Sequence, residues 1–124
     1  MRITKFLVVA IIAGLFSINA NAQKDNLEVA NLAYEAQEYY KEITLLKKAY
    51  SKEKDKANKA DIIYKTAECY RFVNDMKQAE TWYRKAIKLK YPENKIQLYY
   101  ADALKANGKF EDAIVEYEKY SELA

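Results

Sequence analysis

Three groups of residues in this chain have types and spacings from which catalysis can be built, and each has a plainer reading. Ser51-Lys52-Glu53-Lys54 matches the S-x-x-K spacing in which a lysine activates a serine for acyl transfer. The companion triplets S-D-N and K-T-G are absent, and in a lysine-dense stretch such a match arises by chance. Glu111, Asp112, Glu116 and Glu118 concentrate carboxylates of the kind used in acid–base chemistry. Interleaved with Lys109 and Lys119 at three- and four-residue spacings, they predict a solvated helix face with internal ion pairs. Cys69 is the one cysteine, and no histidine exists to activate it as a nucleophile. It reads as a small core residue.

The composition excludes more. A chain of 124 residues without histidine lacks the commonest general base and metal ligand. One cysteine allows no internal disulfide or thiolate cluster, and two glycines, Gly14 and Gly108, build no phosphate-cradling loop. We expect a binding module with no catalytic residues, no cofactor, no metal and no small-molecule substrate.

The elements that would position a binding surface begin after a leader. Arg2 and Lys5 give a short basic start, and Phe6 to Phe16 is continuously apolar but too short to span a bilayer. Ala20-Asn21-Ala22 is a small-x-small cleavage signal, so cleavage is expected between Ala22 and Gln23, making residues 1–22 a signal peptide. Gln23, where a lipoprotein needs cysteine, implies an exported, non-lipidated chain. Loss of the leader lowers the net charge from +3 to +1, which argues against a nucleic-acid partner.

Beyond the leader, apolar residues recur every three or four positions. Ile63, Ala67 and Tyr70 form one stripe, and Ala79, Trp82, Tyr83, Ala86 and Ile87 another. Asn74-Asp75, Tyr91-Pro92 and Asn107-Gly108 punctuate them. Asp75 and Gln78 suit a capping box, Pro92 the first turn of a helix, and Gly108 a left-handed helix end. The pattern predicts six helices, over about 24–37, 39–52, 58–73, 76–90, 92–106 and 110–123. Asn74 and Gly108, Ala79 and Ala113, Tyr83 and Tyr117, and Ala67 and Ala101 each lie 34 residues apart.

That step and helix–turn–helix layout resemble the tetratricopeptide (TPR) repeat family. Ala67, Tyr70, Met76, Ala79, Tyr83, Ala86 and Ile87 match its signature positions in one repeat, and Ala101, Leu104, Gly108, Phe110, Ala113 and Tyr117 in the next. The fold expected is all-α, a TPR-like solenoid of about three repeats. A degenerate first repeat and its Lys-rich connection occupy 23–59, the second 60–93, and a third, possibly truncated, 94–124. In the first, Val29, Ala30 and Ala33 fit one helix and Tyr39, Ile43, Leu46, Ala49 and Tyr50 the other. Glu42 stands where a close helix contact wants alanine, so that repeat is expected to pack loosely or to be shifted slightly at that point. Over residues 31–72 and 103–120 the wording also resembles the amino-terminal repeat region of bacterial envelope proteins that end in an OmpA-like peptidoglycan-binding domain, some linked to type IX secretion and gliding.

The resemblance implies a scaffold in the periplasm, associated with the outer membrane, that binds an envelope protein or peptide segment and touches the membrane only indirectly. The alternative it leaves is a structural or anchoring segment of a larger peptidoglycan-attached protein, with activity in domains further along. The first helix of each TPR pair lines the groove, and the positions that face it here are Asn31, Tyr34 and Glu35, then Tyr64, Glu68, Arg71 and Phe72, then Leu98, Asp102 and Lys105. A carboxylate-clamping subclass is matched by Asn31 and Lys95 but not by Leu27, Lys65 and Tyr99. The lysines Lys47, Lys48, Lys52, Lys54, Lys56 and Lys59, interrupted by Glu53 and Asp55, read as a flexible solvated connection, with contact to an anionic lipid or polymer as the sharper alternative.

Overall fold

The structure, a computed structural model, describes residues 26–123 in full. The leader and its cleavage residues Ala20, Ala22 and Gln23 lie outside those residues. The helices are α1 (Arg2–Lys52), α2 (Lys56–Phe72), α3 (Met76–Lys88), α4 (Ile96–Ala106) and α5 (Phe110–Leu123), with no strand among the described residues. The chain is all-α. No helix among them is long and apolar enough to cross a membrane.

The chain divides into two units, residues 1–35 and 36–124. In the first, the described residues are helical and their side chains face outward: Leu27, Val29, Leu32 and Tyr34 are all more than half exposed. Ala30, Asn31 and Ala33 are exposed with them.

The break expected near residue 38 does not form, and the backbone is helical throughout 24–52. The reason is visible in the side chains. Leu32, Ala36, Tyr39, Ile43, Leu46 and Tyr50 keep an unbroken three-and-four spacing across the expected turn, and no glycine or proline interrupts them. From Ala36 onward that stripe is half-buried or buried, with Ile43 at its centre. Glu42 is exposed at its outer side and its carboxylate reaches the Cys69 thiol on α2.

In the second unit, α2 packs on α3, α3 on α4 and α4 on α5, as two helix hairpins side by side. The core joins Ile43, Ile63, Ala67, Cys69, Tyr70, Ala79, Trp82, Tyr83, Ala86, Ile96 and Ala103. Alanines mark the tightest approaches: Ala67, Ala79, Ala86 and Ala101 have no exposed surface. Cys69 is buried, and burial with the negative charge of Glu42 pushes its thiol up to about 12.

Three helix ends share one device. After α2, α3 and α4 the chain turns through Asn74 (φ 60°), Lys90 (φ 57°) and Gly108 (φ 79°). Each time the next amide reaches back to close the helix: Asp75 N to Tyr70 O at 2.9 Å, Tyr91 N to Ala86 O at 3.1 Å, and Lys109 N to Leu104 O at 2.9 Å. These are Schellman closures, and asparagine tolerates the left-handed position where glycine is the usual choice. The same closure undoes half of the expected capping box. Asp75 Oδ1 accepts from Gln78 N at 3.2 Å, but the Asp75 amide is already spent on Tyr70.

Pro92 does not open a helix as expected; α4 starts at Ile96, four residues later. Tyr91 holds the intervening chain. Its ring stacks on Tyr64 and its hydroxyl donates to Asp61, while Glu93 Oε1 accepts from Lys95 N at 3.1 Å.

Candidate functional site

Tyr64, Glu68, Arg71 and Phe72 share a face of α2 because their spacing follows the helical turn. Arg71 is the centre. Its Nη2 donates to Glu68 Oε2 at 2.7 Å, and its Nε lies 3.3 Å from Glu68 Oε1 and 3.0 Å from the Tyr83 hydroxyl. Tyr83 in turn donates to Glu68 Oε1, so hydroxyl, guanidinium and carboxylate satisfy one another. The guanidinium carbon also lies 4.7 Å from the Phe72 ring centroid and 4.2 Å from that of Tyr99.

Rings extend the row both ways. Phe72 stacks on Tyr39 at 5.1 Å. Tyr83 is tilted against Tyr99 at 6.1 Å and Tyr64 at 6.3 Å, and Tyr64 stacks on Tyr91 at 4.4 Å. Tyr91 donates to Asp61 Oδ1 at 3.2 Å, and Lys65 holds the other oxygen of that carboxylate at 2.8 Å. Tyr39, Tyr64, Tyr91 and Tyr99 are half-buried, and Phe72 is 55% exposed.

The environment keeps the phenols of Tyr64, Tyr83 and Tyr91 protonated. Burial, then the charges of Glu68 and Glu93, raises Tyr64; burial, then the hydrogen bond to Glu68, raises Tyr83; burial, then Asp61, raises Tyr91. Burial disfavours the Arg71 cation, and the Glu68 carboxylate more than offsets it. Arg71 carries its full charge, but that charge is spent on Glu68. The face therefore offers flat apolar rings with hydroxyl tips rather than an anion site.

The other expected groove residues are distributed differently. Leu98 is half-buried on α4 and Lys105 exposed. Asp102, also exposed, is engaged: Tyr117 donates to its Oδ1 at 2.5 Å, which lifts the phenol to about 12, burial adding to it. Asn31, Tyr34 and Glu35 are exposed and lie in the first unit. Tyr39, Tyr83, Tyr91 and Tyr99 were not in the expected set. Tyr99 joins the row through its contacts with Arg71 and Tyr83 on neighbouring helices, which spacing within α4 does not show.

A second polar cluster lies at the start of α3. Glu80, 5% exposed, accepts from Asn107 Nδ2 at 2.7 Å and Lys109 Nζ at 2.5 Å; Asn107 also donates to Met76 O at 3.0 Å. These bonds tie the α4–α5 turn to α3. Of the lysine-rich stretch, Lys47, Lys48 and Lys52 lie on α1 and Lys56 and Lys59 on α2, and the connection between the helices is the short turn 53–55. Glu53 Oε1 accepts from the amides of Lys54 and Asp55, and Asp55 caps α2 through Asn58 N at 2.9 Å. Lys59 lies 5.2 Å from the Tyr50 ring, and Lys47 5.3 Å and 5.7 Å from Tyr70 and Trp82. Ser51 Oγ donates to Lys48 O at 2.7 Å, within its own helix.

No family model matches the chain, and no curated protein or solved structure matches it.

Proposed function

We propose that this chain is a non-catalytic, TPR-like scaffold of the bacterial cell envelope that binds an extended protein or peptide segment along the aromatic face of α2 and α4. The observation that carries this reading is the row of Tyr39, Phe72, Arg71, Tyr99, Tyr64 and Tyr91, joined beneath by the buried Tyr83, with Phe72 left more than half exposed. Aromatic rings with polar tips supply large contact area at little entropic cost, and they are enriched where proteins meet. The fixed Arg71–Glu68 pair braces the rings, so a bound segment meets a preorganised surface. The 34-residue step of Ala79 with Ala113 and of Asn74 with Gly108 supports the repeat reading. The envelope location rests on the resemblance of the sequence and on its leader.

A pull-down from envelope extract tests it. The parent chain should retain a protein partner that a variant carrying Tyr64→Ala, Arg71→Ala and Phe72→Ala loses, with helical content maintained. Equal recovery by both would leave the face idle.

A further inference from the structure

The first and last helices in the packing order carry matching stripes of opposite charge. On α1, Lys41, Leu45, Lys48 and Lys52 follow steps of four, three and four residues. On α5, Glu111, Val115, Glu118 and Glu122 follow the same steps. Base stands against acid and apolar against apolar at every position. All eight side chains are exposed, with Leu45 at 67% and Val115 at 49%. Each stripe lies on one helix face and runs about 16 Å along it. Exposed apolar residues flank both, Tyr40 on α1 and Ile114 on α5. Among the described residues only Lys41 of the eight has an ion-pair partner within the chain, Glu38 one turn away.

We propose that this chain associates head to tail with a second copy of itself, the basic stripe of α1 in one molecule lying parallel to the acidic stripe of α5 in the next. In parallel, Lys41 meets Glu111, Leu45 meets Val115, Lys48 meets Glu118 and Lys52 meets Glu122. Antiparallel, Leu45 would face Glu118 and Lys48 would face Val115. Two acidic α5 faces repel each other, as do two basic α1 faces, so a symmetric dimer is disfavoured and the contact is heterologous. Such a contact adds copies in a row, or in a ring where the rotation from copy to copy closes. One helix against one helix is a small interface, at the low end for protein pairs, so association is weak and salt-sensitive, in the range of about tens of micromolar or above.

Sedimentation velocity on the 124-residue chain over a concentration series tests this. The sedimentation coefficient should rise with concentration at about 50 mM salt and lose that rise at about 500 mM. The variant K41E/K48E/K52E and the variant E111K/E118K/E122K should each associate about tenfold more weakly or worse. Mixed one to one they should associate again, because each supplies the stripe the other lacks. The single changes K48E and E118K, expected to weaken association about threefold, serve if a triple change lowers helical content. A monomer at every concentration overturns the proposal. So does association that ignores salt, or triple variants that fail to recover on mixing while remaining helical. The pull-down on the aromatic face is independent of this result, because none of the eight residues belongs to that face.

Discussion

The two hairpins α2–α3 and α4–α5 are built from the same local devices and end in different surroundings. Thirty-four residues separate Asn74 from Gly108 at the left-handed helix ends, and Ala79 from Ala113 at the buried contacts. The same step separates Glu68 from Asp102 and Tyr83 from Tyr117, so a tyrosine of the second helix donates to a carboxylate of the first in both hairpins. What differs is cover. Tyr83 and Ala86 are fully buried, whereas Tyr117 and Tyr120 at the matching positions are only half-buried. Glu80 is enclosed by the α4–α5 turn, while its counterpart Ile114 is 56% exposed. Helix ends and pair contacts are thus written within about 34 residues of sequence, whereas burial is set by the neighbour that stacks next.

The largest effect expected from this contrast is at the alanines. Ala79→Glu should destabilise by about 3–5 kcal/mol, because the charge enters a contact closed on both sides. Ala113→Glu should cost about half as much, since α5 can roll its uncovered face toward water. Chemical denaturation checks both, and equal losses would break the comparison. Glu80→Ala should cost about 2 kcal/mol by leaving Asn107 and Lys109 without their shared acceptor, and should loosen α4–α5 before α2–α3.

Much of this is legible in the sequence. The alanine and tyrosine step, the helix end at Gly108 and the burial of Cys69 all follow from short-range pattern, and the structure agrees with them. The misread elements are governed by distant contacts or by an absence of breakers. Pro92 looked like a helix start, but Tyr91 is pinned to Tyr64 and Asp61, some thirty residues earlier, and that holds the chain open. The turn expected near residue 38 does not form, because the residues around it carry no breaker and favour an uninterrupted helix. Tyr64, Glu68, Arg71 and Phe72 could be placed on one face by periodicity. That Tyr39 and Tyr99 complete the row depends on how helices pack, which no spacing within one helix reveals.

Smaller effects sharpen the contrast at the helix ends. Gly108→Ala should cost about 1 kcal/mol from backbone alone, since a Cβ there meets nothing within 4 Å. Lys90→Gly should stabilise by about 0.5 kcal/mol, removing a side chain from a left-handed residue. Thermal melts of the pair check the opposite signs.

The tyrosines give a pH test. Both Tyr83 and Tyr117 are raised above the ordinary phenol value, so their contributions to stability are complete below about pH 10 and fade as pH rises through the folded values. Tyr117 should ionise near pH 12, and Tyr117→Phe should remove that component of the tyrosinate absorbance. Tyr83 should stay protonated until the hairpin opens, so that Tyr83→Phe changes the native titration little.

Residue-resolved hydrogen exchange under native conditions tests the central claim most directly, that one hairpin design is used twice with different cover. The account predicts strong protection of Asp75 and Lys109, whose amides close α2 and α4, the slowest exchange in α3 around Ala79 to Ala86, and markedly faster exchange in α5 beyond Tyr117. Equal protection of α3 and α5, or free exchange at Asp75 and Lys109, would contradict it.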